Sequence, residues 1–437
     1  MMKICASLSS FSDTELIGKA DMAEIRTDIL DHVPDVPGKD LLVTFRGVPD
    51  LSILPKGFSG MIDIGENAVP DTDITTISSC HNYELTPPAE EIADLLGKMK
   101  GDISKGAFKV NSFSDLRSIF DASVRTRKKH VLLGMGGLGT VTRIRQDALG
   151  NEFTFAYAGE PTAPGQLSLD EMSCLGEHPM ITGILGHPLD KSMSPRMHNA
   201  AMKKAAINGI YLKFDTCDLR HLGDAVRDYD IRGLNVTIPH KSEILEHLDC
   251  FDEDVRAIGA ANTIFNSDGI LRGYNTDIIG IEWAMKQAGF NPDGRKALIM
   301  GSGGAARACA YILGKRGCCV TVTGRNEDTS RSLCRDLGCR CLPKDSASVP
   351  GYDLIVNCTP VGMYGSGEYP ADICRLTGHQ SVFDMVYGTE THLMSKAKEA
   401  GARIISGEDM LAMQGAASLE IWADKKDLFG YMKEALL

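Results

Sequence analysis

Long apolar runs are missing from this chain, and none approaches the ~18 residues that a membrane-crossing helix requires. The N-terminus also lacks a charged stretch leading into an apolar one, the form of a secretory signal. The 13 cysteines are odd in number and form no Cys-x-x-Cys pair. Reduced thiols in a cytoplasmic protein are therefore expected, rather than a disulfide framework or a metal site. Basic excess is absent too. A net charge of −12 argues against nucleic acid or an anionic membrane as partner, although a local pocket can still take a small anion. There is no internal repeat or low-complexity tract. What remains is an ordinary globular composition, 43% hydrophobic and 24% charged over 437 residues, enough for two or three domains.

Eight short β-rich runs come first: Lys3–Leu8, Met22–Thr27, Leu41–Arg46, Met61–Gly65, Ile74–Ser79, Ile103–Val110, His130–Met135 and Glu152–Tyr157. Helical patterns at Asp13–Ala20, Ala89–Met99, Ser114–Lys128 and near Thr142–Leu149 separate several of them. A strand–helix series of eight predicts a closed parallel barrel with its chemistry at the C-terminal ends of the strands. The barrel is a trimmed one. It ends near Cys174, and the connections between Asp28 and Asp73 are short and proline-rich. The apolar strands they join need cover, either from the second half of the chain or from a second copy in a homodimer, with loops led by Leu51, Ile53, Leu54 and Phe58 as the alternative.

After a linker at Cys174–Pro179 a new αβ pattern begins, with Ser194 as N-cap and Pro195 in the first helical turn. From Lys296 an apolar strand runs into "GSGGAA" and then a helix. Gly301, Gly303 and Ala306 fit the dinucleotide pattern G-x-G-x-x-G/A in its required context, with Gly304 and Ala305 in the same turn. The first glycine makes the turn, the second admits a pyrophosphate, and the third small residue lets helix and strand pack. Where an NAD protein carries an acid after the next strand, this chain has Gly324, Arg325 and Asn326. An arginine there pairs with a 2′-phosphate, so NADP(H) is the expected cofactor, without a metal.

"GDISKGAFKV" poses a different question. Alternation places Ile103, Lys105, Ala107 and Lys109 on one face of a strand. A lysine stem laid along apolar surface with its ammonium in water explains this stretch by itself. A desolvated amine able to attack a ketone is the sharper reading.

Motifs decide between them. From Gly183 to Gln414 the chain resembles shikimate dehydrogenase through "GHPLDKSMSPRMHN", "NVTIPHK", "GAANT", "GYNTD" and "GEDMLAMQGA". The resemblance implies a two-lobed unit in which Ser192 and Ser194 hold a carboxylate. Asn235, Thr237, Asn262, Tyr387 and Gln414 would meet ring hydroxyls, and Lys241 and Asp277 form the catalytic dyad. Thr359 and Gly407 join the cofactor set. The family's Asn-Arg-Thr is "GRN" here, and the proline that usually follows the Tyr387 motif is missing. The first half resembles type I 3-dehydroquinate dehydratase, a (β/α)8 Schiff-base enzyme, through "MAEIRTD", "LLVTFRG", "SSCHNYE", "GDISKGAFKV", "GTVTRI" and "PTAPGQL". That resemblance implies Lys105 as imine-forming residue, His81 as acid/base and Glu24 orienting His81. It also implies Arg26, Arg46, Arg143, Thr162 and Gln166 as substrate contacts.

The expected organisation is α/β. A shortened barrel spans 1–174, and a substrate lobe spans 179–280, completed by 408–437. A Rossmann lobe spans 281–407. The implied substrates are small anionic cyclic polyols: 3-dehydroquinate, 3-dehydroshikimate and shikimate. Two rivals remain at this point, a monofunctional shikimate or quinate dehydrogenase with a vestigial barrel and a quinate-sensing binding module. The full sets around Lys105, Lys241 and Asp277 weigh against both.

Overall fold

A computed structural model describes residues 3–363 and 367–436, so residues 1, 2, 364–366 and 437 of the expected domain ranges lie outside the described residues. The chain divides into two compact units, Met1–Gly183 with Asn208–Arg232, and Ile184–Ile207 with Gly233–Leu437.

The first unit is built on eight parallel strands: β1 (Ile4–Leu8), β2 (Met22–Arg26), β3 (Asp40–Thr44), β4 (Met61–Asp63), β5 (Thr75–Asn82), β6 (Ile103–Lys109), β7 (His130–Met135) and β8 (Thr154–Ala158). They pair in the order β7-β6-β5-β4-β3-β2-β1-β8. The expected closed ladder is interrupted at its last seam, between β7 and β8. There Asn151 substitutes for a strand: its Oδ1 accepts from the Leu132 N–H at 2.7 Å and its Nδ2 donates to Leu132 O at 2.8 Å. The helices after β5 and β6, Ala89–Lys98 and Phe113–Arg125, are amphipathic. The second begins on a Ser112–Asp115 capping box. After β1 two short 3-10 helices form, at Phe11–Glu15 and Ile17–Lys19, and after β3 one, at Leu51–Ile53.

Inside the barrel an apolar layer holds Cys5, Met22, Leu42, Met61, Ile77 and Ile103. Two residues further along the same six strands stand Ser7, Glu24, Thr44, Asp63, Ser79 and Lys105, all buried. The period of two thus converts an apolar floor into a polar layer at the C-terminal ends.

The outward face of β3 and β4 corrects one expectation. Val43, Phe45, Ile62 and Ile64 are buried by Val33, Leu51, Ile53, Leu54, Phe58 and Ile74 from the chain's own short connections. These loops are the cover that the sequence offered as the alternative. The later segment Asn208–Arg232 joins this unit elsewhere, against helix Phe113–Arg125. Arg117 pairs with Asp228 at 2.8 Å, the Tyr229 hydroxyl donates to Leu116 O at 2.9 Å, and Phe113 stacks on Phe214.

The second unit carries two sheets. In one, β11 (Ile231–Val236), β13 (Thr263–Ser267) and β14 (Ile270–Tyr274) pair antiparallel in turn, and β12 (Cys250–Phe251) runs parallel beside β14. Strands β9 (Met180–Gly186) and β10 (Gly209–Asp215) precede them in the chain. The other sheet is wholly parallel, in the order β17-β16-β15-β18-β19-β20. Its members are β15 (Lys296–Met300), β16 (Cys319–Thr323), β17 (Arg340–Cys341), β18 (Leu354–Asn357), β19 (Ser381–Asp384) and β20 (Arg403–Ser406). The order reverses between β15 and β18, the switch point where doubly wound sheets bind ligands. Helix Gly407–Ala423, with eleven buried residues, packs on helix Asp277–Gln287. No helix among the described residues is long and apolar enough to cross a membrane.

Candidate active sites

In the barrel, Lys105 lies on β6 opposite Ser79 on β5 and is 4% exposed. Its Nζ donates to Asp63 Oδ2 at 3.1 Å, stands 4.0 Å from Glu24 Oε1 and lies 4.4 Å over the Phe155 ring. The amine is therefore desolvated rather than in water. Two carboxylates face it, and Asp63 is the one sequence reasoning missed. Burial by itself would raise the Asp63 carboxyl, but Lys105, the Ser79 hydroxyl and the Gly65 N–H together hold it below the usual carboxylate range.

Glu24 corrects another expectation. Its oxygens accept from the hydroxyls of Ser7 and Thr44 and face Lys105. Among the described residues it makes no hydrogen bond to His81. The neighbours of His81 are Arg46, at 3.4 Å from its Nδ1, and Tyr83, whose ring stacks at 6.0 Å. Burial, then Lys105 and Arg46, push the imidazole down to about 3, so it is neutral and able to accept a proton at physiological pH.

Arg143 follows β7 on the short helix Thr140–Ile144 and is 2% exposed. Burial lowers its guanidinium to about 10 against the attraction of Glu24, and its Nε has no hydrogen-bond partner. A buried cation with an unused donor is a site for an anion. Arg26 is already engaged, with Asp28 and with the Thr162 carbonyl at 3.1 Å. Gln166 Oε1 accepts from the N–H and hydroxyl of Thr162, folding that loop on itself. A cavity of about 520 Å³ beside the mouth is lined by Arg46, Glu66, Asn67, Ser79 and His81.

In the second unit, Lys241 Nζ donates to Asp277 Oδ2 at 2.5 Å. Asn262 Nδ2 donates to Asp277 Oδ1 at 2.8 Å and lies 3.3 Å from Gln414 Oε1. Asn235 reaches the Ser418 hydroxyl at 2.8 Å, one member of a buried hydroxyl cluster with Thr263 and Thr276. These side chains form one connected polar wall.

Beside it lies a cleft of about 1060 Å³, lined by Ser192, Thr237, Lys241, Gly301, Gly303, Gly304, Ala305, Arg325, Thr359 and Tyr387, all expected from the sequence. It is also lined by Ser302, Asn326 and Cys358, which were not. Ser302 and Asn326 adjoin expected residues in sequence, so the signal was present and passed over. Ser194 is the first helical residue of Ser194–Lys204, with Met193 rather than Ser194 in the cap position, and it is buried. Ala306 is fully buried beneath the turn. Gly407 is not at the cleft; a Cβ there would meet Asp384 O at 2.4 Å, so it serves helix–strand packing.

The glycine turn fits a dinucleotide phosphate. The cap position of helix Gly304–Lys315 is held by Gly303, which has no side chain to accept from the first N–H groups, and a Cβ there would enter open space. A Cβ at Gly304 would stand 2.7 Å from Lys241 Cβ, which explains the need for glycine. No group of three or more metal-ligating side chains occurs among the described residues.

A parallel barrel with a buried mouth lysine, followed by a dinucleotide fold with a Lys–Asp pair beside its glycine turn, defines a lyase-like and an oxidoreductase-like site on one chain. Residues 64–175 match the model for type I 3-dehydroquinase, and residues 184–264 match that for the shikimate dehydrogenase substrate binding domain. Shikimate dehydrogenase (NADP(+)) from Moorella thermoacetica is 38% identical over 273 residues, 59% of this chain and 92% of that protein. Its counterpart from Methanopyrus kandleri is 38% identical over 275 residues, 59% of this chain and 94% of that protein. The crystal structure of shikimate 5-dehydrogenase from Thermus thermophilus with NADP(H) and shikimate is 32% identical, covers 59% of this chain and 98% of its own, and has a TM-score of 0.54. The chain belongs to the shikimate dehydrogenase family and carries a type I 3-dehydroquinase domain ahead of it.

Proposed function

We propose that this chain catalyses two consecutive reactions of the shikimate pathway: dehydration of 3-dehydroquinate to 3-dehydroshikimate, then its reduction to shikimate with NADPH. The observation that carries the reading is one chain holding both a buried Lys105 amine at the mouth of a parallel barrel and a Lys241–Asp277 pair beside an uncapped dinucleotide turn.

In the barrel the substrate carboxylate pairs with Arg143, the buried cation with a spare donor. Lys105 condenses with the ring ketone, releasing water and leaving a protonated imine. That cation is an electron sink for the adjacent C–H bond. Neutral His81 takes the proton, the electron pair flows to nitrogen, and an enamine forms. His81 then returns the proton to the hydroxyl on the next carbon, which leaves as water while the pair flows back. Hydrolysis of the imine frees 3-dehydroshikimate and restores Lys105. Arg46 sits against His81 and also favours the anionic substrate.

In the cleft, Ser192 and Ser194 hold the carboxylate, while Asn235, Thr237, Asn262, Tyr387 and Gln414 face the ring hydroxyls. Buried amides and hydroxyls of this kind discriminate strongly against analogues that leave them unpaired. NADPH, when bound along the glycine turn with Arg325 at its 2′-phosphate, supplies the hydride. Lys241 delivers the proton to the ketone oxygen, and Asp277 orients the Lys241 ammonium through the 2.5 Å bond.

The test is a single coupled assay in which purified protein receives 3-dehydroquinate and NADPH. Stoichiometric NADPH oxidation with shikimate as product supports both activities. NADPH oxidation only when 3-dehydroshikimate is supplied instead would leave the chain a dehydrogenase with an inactive barrel.

A further inference from the structure

The geometry assigns Asp63 as the counter-charge of the Lys105 nitrogen throughout the dehydration cycle, a catalytic residue that touches the reacting atom. This rests on the reading of Lys105 as the imine-forming residue.

Asp63 ends β4, facing Thr44 of β3 and Ile77 of β5 in register, and is fully buried. A buried carboxylate without partners is costly, so its contacts identify its purpose. The two oxygens are used differently. Oδ1 is fixed by the Ser79 hydroxyl at 2.6 Å and by the Gly65 N–H at 3.0 Å. Oδ2 is left for Lys105 Nζ at 3.1 Å. Glu24 cannot fill this role equally: Thr44 and Ser7 occupy its oxygens, and its approach to Nζ is 4.0 Å.

The charge on the Lys105 nitrogen follows the reaction. Ammonium plus ketone gives iminium plus water, with the positive charge conserved. Proton loss to His81 makes the neutral enamine. Departure of the hydroxyl with that proton regenerates a conjugated iminium, and water converts it to product ketone and ammonium. Three of these four species are cations at one nitrogen, and a single fixed anion in a low-dielectric interior serves them all. Asp63 is held in place by the barrel wall through Ser79 and Gly65, so it needs no reorganisation as the nitrogen changes partner.

The experiment is borohydride trapping during turnover of 3-dehydroquinate, read as adduct mass on the peptide holding Lys105, in wild type and in Asp63→Asn. The substitution keeps size while removing the charge. The expected result is a trapped fraction and a kcat each reduced at least tenfold, with KM changed less than twofold because Asp63 meets the nitrogen and not the substrate. Asp63→Glu should recover part of the trapped fraction. Undiminished trapping in Asp63→Asn, with wild-type trapping on Lys105, overturns the counter-charge role alone. Absence of trapping on Lys105 in the wild type overturns the underlying reading instead. Should Asp63→Asn not fold, Ser79→Ala loosens Oδ1 while keeping the charge. It should lower trapping two- to fivefold, and an unchanged fraction overturns the proposal.

Discussion

The stem of Lys241 occupies the space that a side chain on Gly304 would fill, with only 2.7 Å between Lys241 Cβ and the position of such a Cβ. The proton donor expected for the reduction is thus packed directly on the turn proposed to take the cofactor phosphates. Gly304 begins its helix without positive φ, so alanine there is strain-free for the backbone and its nearest conflict is with the Lys241 stem. Gly304→Ala should therefore lower kcat for shikimate oxidation at least tenfold while costing about 1–3 kcal/mol of stability, the usual range for overpacking. Steady-state kinetics with urea unfolding check this, and unchanged kcat would show that Lys241 has room to give way.

Cofactor choice should rest on Arg325, which lines the cleft near Ser302 and Asn326. A bidentate pair with a 2′-phosphate contributes roughly 2–3 kcal/mol, some tens- to a hundredfold in affinity. Arg325→Asp should reverse or erase the NADP over NAD preference in kcat/KM. An unchanged ratio would reduce the arginine to a surface residue.

Acid should weaken the second unit through His198. This imidazole is fully buried, its Nδ1 lies 2.9 Å from the Ser194 carbonyl, and burial lowers it to about 4. In the unfolded chain it protonates near 6.5, so between about 4 and 6.5 the unfolded state holds the extra proton. Its contribution is complete above pH 6.5 and is lost as pH falls through that window, reaching about 2 kcal/mol by pH 5. Urea midpoints of wild type and His198→Asn at pH 7 and pH 5 read this directly. The variant should lose less stability than wild type between the two values; an equal loss would place the acid sensitivity elsewhere.

Residues 1–174 expressed alone should be less stable than the same segment in the full chain. The fragment lacks Asp228, Tyr229 and Phe214, which cover helix Phe113–Arg125 through the pair with Arg117, the bond to Leu116 O and the ring stack on Phe113. Loss of dehydratase activity with urea should come at lower concentration in the fragment, by an amount set by the exposed apolar face. Equal midpoints would show that this face contributes nothing to the barrel.

Much of this was legible in the sequence, for physical reasons. Strands buried on both faces write themselves as apolar runs, and all eight barrel strands lie within a few residues of their predicted bounds. The glycine turn was legible because a phosphate site dictates backbone, and backbone freedom dictates glycine. Asp63 was not, since its partner lies 42 positions away and nothing in "GMIDIG" distinguishes a counter-ion from a strand-end acid. Asn151 at the barrel seam was hidden for the same reason: a side chain that imitates a strand has no periodicity. The cover on β3 and β4 was misjudged because short proline-rich connections look too sparse to bury a face, yet Leu51, Ile53, Leu54 and Phe58 suffice.

The central claim, two successive reactions at two lysine-centred sites, is tested most directly by product analysis of two variants given 3-dehydroquinate and NADPH. Asp277→Asn should accumulate 3-dehydroshikimate without oxidising NADPH. Lys105→Met should leave 3-dehydroquinate unchanged, yet oxidise NADPH as soon as 3-dehydroshikimate is added. Shikimate formed from 3-dehydroquinate by folded Lys105→Met would contradict the account.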